Sequence, residues 1–134
     1  MKRIGFLSFG HWSPSRQSET RSARDVLLQS IDLAVAAEEL GADGAYFRVH
    51  HFARQLASPF PLLAAVGART KRIEIGTGVI DMRYENPFYM TEDAGAADLI
   101  AQVRTFGSEL FAQERVYVGE TVGPIGHGHL SGLR

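Results

Sequence analysis

The chain has no cysteine among its 134 residues, which excludes a disulfide framework and a thiolate metal site and fits a reducing compartment. It has little excess charge: 14 basic against 15 acidic residues leave a formal net charge of −1, which argues against a nucleic-acid surface or a polybasic membrane anchor. It has no long hydrophobic run. The apolar stretch after Met1-Lys2-Arg3 soon meets Gly10-His11-Trp12-Ser13-Pro14, too short for a signal-peptide core, and no segment reaches bilayer-spanning length. A cytoplasmic enzyme or binding domain is therefore the expectation. What is present is an ordinary globular balance, 45% hydrophobic and 22% charged, in a chain long enough for one core and short for two.

The stretch Gly41-Ala42-Asp43-Gly44-Ala45-Tyr46-Phe47-Arg48-Val49-His50-His51-Phe52 organises the rest. A helix ends at a glycine, a tight turn follows, and a strand of aromatic and β-branched residues delivers two adjacent histidines at its C-terminal end. In parallel α/β folds that end faces the ligand crevice.

Around it the elements alternate. Arg3 to Phe9 reads as a strand with apolar residues on both parities (Ile4, Phe6, Leu7, Phe9), as expected when both faces are buried. Ser13 to Arg24 is a polar loop, long enough to act as a lid. Ser22-Ala23-Arg24-Asp25 has capping-box spacing, and Leu27, Leu28, Ile31, Ala34, Val35 and Leu40 form the expected apolar stripe of a helix from Val26 to Leu40, with Gly41 at its C′ position. A second strand spans about Ala45 to Val49. Ser58-Pro59-Phe60-Pro61 opens a helix from Leu62 to about Arg69, and Ile73 to Ile80 is the third strand. Asn86-Pro87 starts a third helix that runs to Ile100. Strands alternating with helices imply a parallel sheet with crossover connections. The aromatic set Tyr46, Phe47, Phe52 and Phe60 reads as core.

From about residue 102 the rhythm fails. Gln102 to Gln113 is compatible with a helix broken at Gly107, and Val116-Tyr117-Val118 with a short strand. A glycine-rich tail follows, in which His127 and His129 lack a third ligand for a metal. The division expected is residues 1–101 as a β-α unit and 102–134 as an atypical tail.

Several of these segments together resemble the bacterial-luciferase-like flavin-dependent monooxygenase family. They are Ile4-Gly5-Phe6-Leu7, Ala37-Glu38-Glu39-Leu40-Gly41-Ala42-Asp43, Val49-His50-His51-Phe52, Ser58-Pro59 with Leu62-Leu63-Ala64-Ala65, Arg69 to Val79, and Asn86-Pro87 with Glu92-Asp93. The resemblance covers roughly residues 1 to 100. It departs from the family pattern at Val49, where many members carry Glu, at Asn86 in place of His, and after Ile100, where a glycine- and arginine-rich fourth strand is expected. Complete barrels of this type run to about 250 residues. The resemblance thus implies α/β architecture as a partial (truncated) TIM-barrel-like β-α repeat with parallel strands, two open sheet edges, and a homo- or heterodimer.

By that resemblance the activity is insertion of one oxygen atom from O2 into a small organic substrate, using reduced FMN supplied by a partner flavin reductase. A deazaflavin hydride-transfer enzyme, or a degenerate member that only binds flavin or serves as a dimer partner, are the alternatives. His50 is the implied catalytic residue, able to move a proton near neutral pH, with His51 packing behind it. Ser8, Phe9, His50, Thr77, Gly78, Val79 and Glu92 are the implied cofactor contacts, although Glu92 reads more readily as a solvated helix charge. Gly78-Val79 matches a pair joined in relatives by a non-prolyl cis peptide that forms a bulge under the flavin. Gly76-Thr77-Gly78 is not a dinucleotide fingerprint, since its spacing differs. Leu7 would line the pocket, and Asp81 to Tyr84, with Arg83 a phosphate candidate, would face substrate or phosphate. No nucleic acid, membrane or metal is expected.

Overall fold

The structure, a computed structural model, describes residues 3–102. Three parallel strands and three helices alternate: β1 (Gly5–Ser8), α1 (Ala23–Glu39), β2 (Gly44–Arg48), α2 (Pro59–Arg69), β3 (Glu74–Val79) and α3 (Pro87–Ile100), with a 3-10 turn at Met82–Tyr84. The sheet order is β1-β2-β3, so each strand lies beside its sequence neighbour. This is the parallel β-α repeat of a partial barrel. The elements expected beyond Gln102, and His127 and His129 with them, lie outside the described residues.

Local chemistry accounts for the boundaries. Ser22 caps α1 as a capping box, its hydroxyl accepting from the Asp25 amide while the Asp25 carboxylate accepts from the Ser22 amide. Gly41, with φ +86°, takes the left-handed position just past the helix end. Asn86 caps α3 by accepting from the Phe88 and Tyr89 amides, and prolines occupy the first turns of α2 and α3. Asp43 bridges the strand starts: its carboxylate accepts from the Ile4 amide, its amide donates to Ile4, and its carbonyl accepts from Glu74.

The helices cover one face of the sheet. Ala45, Phe47 and Val49 of the second strand and its exit, with Ile75 of the third and Ile73 just before it, are buried against Leu63, Val66, Met90 and Ala97 of the helices. Residues of the opposite parity face away from that core. β1 is therefore not buried on both faces, as its composition suggests. Leu7 remains 48% exposed and Phe9 41%. The helical stripe on α1 matches expectation only in part, at Ala34, which is buried, and Ile31, which packs against the core. Val26, Ser30 and Ala34 are its buried residues, whereas Leu27, Leu28 and Leu40 are exposed. Small residues let the helix lie close, so the larger leucines take the outer face. Among the four aromatic residues expected in the core, Phe47 and Phe60 are there. Phe52 is 91% exposed at a positive φ of 59°, and Tyr46 lies on the opposite face, its hydroxyl donating to Glu74.

The start of β3 is held by a carboxylate from α1. Glu38 accepts from the backbone amides of Lys71, Arg72 and Ile73, and the Arg72 guanidinium donates to the Glu38 carbonyl. Partial burial raises the Glu38 pKa, but the bonds from Ile73, Arg72 and Lys71 outweigh it and hold the group below its ordinary value of 4.5.

Candidate active site

The carboxyl ends of the three strands meet at one rim. Register pairs Ser8 with Phe47, Phe47 with Thr77, and Arg48 with Val79, so Gly78 is an extra residue with no partner on β2. This is a β-bulge at the end of β3. A bulge was expected there; a cis peptide was too, and that expectation is corrected, since every described peptide bond is trans. The additional residue and the freedom of glycine suffice to kink the strand. A Cβ at Gly78 would stand 2.5 Å from a Leu7 methyl carbon, so the bulge packs under a side chain from β1. The Val49 amide donates to the Val79 carbonyl at 3.3 Å, which brings the β2 exit alongside the bulge.

Strand alternation sorts the candidate residues. Phe9, Gly78 and Val79 lie on the face away from the helices, and Val79 is 57% exposed. Ser8 and Thr77 share the parity of buried Phe47, and Thr77 is itself buried. Glu92 is exposed on α3. The rim thus brings Leu7, Phe9, Gly78 and Val79 onto one face, with the His50 backbone at the β2 exit next to the Val49–Val79 bond, and sets Ser8, Thr77 and Glu92 apart from them.

His50 continues the parity of Tyr46 and Arg48 and is exposed. Its amide donates to the Leu56 carbonyl, and its Nδ1 lies 3.3 Å from the His51 carbonyl oxygen. A carbonyl only accepts, so in that contact Nδ1 is the donor, and the lone pair of a neutral ring is on Nε2. His51 turns the other way. It packs against Tyr84 at 5.1 Å between ring centroids and sits 3.6 Å from a Glu85 oxygen, beside a cleft of about 540 Å³ between the start of α2 and α3. The loop after β1 is tied to the loop after β2: the Trp12 amide donates to the Arg54 carbonyl, and the Gln55 amide nitrogen meets His11 Nε2 at 2.7 Å.

Arg83, a phosphate candidate in the sequence, is engaged by its neighbour. Its Nε and a terminal nitrogen bond both oxygens of Asp81 at 2.9 and 2.6 Å. This hydrogen-bonded guanidinium pulls the Asp81 carboxyl down to about 2 and raises the arginine pKa in return. Arg48 was overlooked in the sequence. The signal was there: a cation on the parity of Tyr46, within an otherwise apolar strand. Its guanidinium carbon lies 5.1 Å from the centroid of the Phe9 ring.

Exposed apolar side chains around a bulged backbone, with one imidazole at the edge, suit a flat aromatic ligand. The luciferase-like monooxygenase family matches residues 7–105. The chain belongs to that family. The alkanal monooxygenase alpha chain of Photobacterium leiognathi is 34% identical over 92 residues, which is 67% of this chain and 26% of that protein. Among solved structures, monooxygenase RslO1 from Streptomyces bottropensis is 27% identical with a TM-score of 0.67, matching 78% of this chain and 31% of that one. The oxygenating constituent of 3,6-diketocamphane monooxygenase from Pseudomonas putida, a type II Baeyer-Villiger monooxygenase in complex with FMN, has a TM-score of 0.68. It is 24% identical, with 78% of this chain and 28% of that one covered, and so speaks to the fold. This luciferase-like chain spans about a quarter of the length of the curated relatives it matches. No helix among its described residues is long and apolar enough to cross a membrane.

Proposed function

We propose that this chain supplies the first β-α units of a flavin-dependent monooxygenase that transfers one oxygen atom from O2 to a small organic substrate. Reduced FMN, delivered by a separate flavin reductase, is the cofactor of this reading, and two-chain association in the cytoplasm is its setting. The observation that carries it is the β3 bulge at Gly78 lying beside the β2 exit that bears His50. Leu7, Phe9 and Val79 would hold the isoalloxazine by apolar contact and exclude water from its face. The flavin, when bound and reduced, supplies the oxygen chemistry. His50, with Nε2 as base, would take or give a proton at the substrate oxygen. Ser8, Thr77 and Glu92 remain cofactor contacts only if the face they occupy also borders the ring.

The test separates binding from turnover. FMN is titrated against the full chain by quenching of flavin fluorescence. Decanal is then supplied with FMN, a flavin reductase, NADH and O2, and decanoic acid is measured by mass spectrometry. Decanal is the probe because a relative is an alkanal monooxygenase. Acid formed above a control lacking the chain supports the reading, and flavin quenching without acid favours the second. In the second reading the chain binds flavin or partners another chain without turnover. The His50→Ala variant is expected to lose about 100-fold or more in acid formation while keeping FMN quenching. A hydride-transferring deazaflavin enzyme would instead show no dependence on O2.

A further inference from the structure

Arg48 stands apart among the described cations. Every other described lysine and arginine is exposed, whereas Arg48 is partly buried. Arg3, Arg69 and Arg83 pair with Glu74, Asp32 and Asp81. Arg21 and Arg72 donate to carbonyl oxygens. Arg48 has the Phe9 ring as its neighbour, and among the described residues no carboxylate or carbonyl accepts from it. A ring face answers the charge of a guanidinium but none of its five N–H donors. Partial removal from water without an acceptor is unfavourable, and an acceptor supplied by a ligand would relieve it.

The position matters as much as the lack of a partner. Arg48 is the last residue of β2, paired with Val79 across the bulge and reaching Phe9 on the other side. It therefore sits on the floor already described, between Phe9 and Val79 and two positions before His50. An apolar floor alone takes neutral substrates; a guanidinium fork in its centre matches a carboxylate.

We propose that Arg48 makes this site select an organic anion, a carboxylate-bearing small molecule whose apolar part lies across Leu7, Phe9 and Val79. The proposal narrows the substrate class of the monooxygenase reading and rests on it for location, but its test needs neither flavin nor turnover. Octanoate and 1-octanol, which differ in the headgroup, are titrated into the full chain labelled with nitrogen-15, and the arginine Nε–H resonances are followed. Octanoate is expected to shift the Arg48 resonance and to bind roughly tenfold more tightly than 1-octanol. In Arg48→Gln the two should bind alike, while Arg48→Lys, which keeps the charge but not the fork, should retain part of the preference. Circular dichroism on each variant reports its fold, and the wild-type comparison stands by itself should a variant fail to fold. Equal binding of the two probes by the wild type, no binding of octanoate, or a preference unchanged in Arg48→Gln would overturn the proposal. A parallel comparison of FMN with riboflavin covers the remaining anion. If FMN binds more tightly than riboflavin only when Arg48 is present, and octanoate shows no preference, the guanidinium grips the flavin phosphate and the substrate assignment falls. Loss of flavin binding with the octanoate preference intact would instead remove the monooxygenase reading and leave the anion site standing.

Discussion

Glu38 shows how one side chain joins two elements that sequence order separates. Its carboxylate gathers three backbone N–H groups at the entry to β3, a charge-assisted set of bonds. Glu38→Ala leaves those donors without their acceptor, and a loss of about 1.5–3 kcal/mol is expected in urea titration at neutral pH. Glu38→Gln, which keeps an acceptor oxygen, should cost less. The pH dependence follows from the direction of the shift. The folded-state pKa lies below the ordinary 4.5, so the contribution is complete above 4.5 and is lost as pH falls through the lower folded value. Urea midpoints measured below pH 4.5 should therefore fall more steeply for the wild type than for Glu38→Gln. Parallel slopes would mean that this carboxylate does not titrate with folding.

Between elements, α2 and the end of α3 approach each other closely at Gly67. A Cβ on Gly67 would lie 2.7 Å from the Ala101 Cβ and 2.9 Å from its Cα. Gly67→Ala would raise helix propensity by up to about 1 kcal/mol, yet it should destabilise the fold, because the backbone of the facing segment has to move. Gly67→Val should cost more, about 1–3 kcal/mol from overpacking. Thermal denaturation of the pair checks both, and a stabilised Gly67→Ala would show that the helices separate freely. This contact also marks how far the sequence was legible. Element order could be read because its signals are local: Ser22 with Asp25, Gly41, Pro59, and Asn86 with Pro87 each act within a turn of their own position. The inward face of α1 could be read only in part: Ala34 and Ile31 belong to the expected stripe, whereas Val26 and Ser30 take buried places that hydrophobic spacing does not single out. The same holds at the site. His50 announces itself beside a strand end and the Gly78-Val79 bulge through family resemblance, whereas the cation at Arg48 acquires meaning only from cross-strand register.

Among the described residues, the helices shield one side of the sheet and none of them covers the other. Among the described strands β1 and β3 form the edges, and Ile4, Leu7, Phe9 and Val79 are exposed. Open edges beside apolar surface favour association with another chain. Sedimentation equilibrium should give a weight-average mass above 14.7 kDa that rises with concentration, and Leu7→Lys should lower it; a monomer at all concentrations would contradict this. The grip of Glu38 on β3 carries a different consequence for the opening motions of the native state. Since the last turn of α1 supplies the acceptor for the amides of Lys71, Arg72 and Ile73, fraying of that turn should release all three together. Their deuterium uptake should then follow one common rate, although two are solvent-facing and the third begins a buried strand.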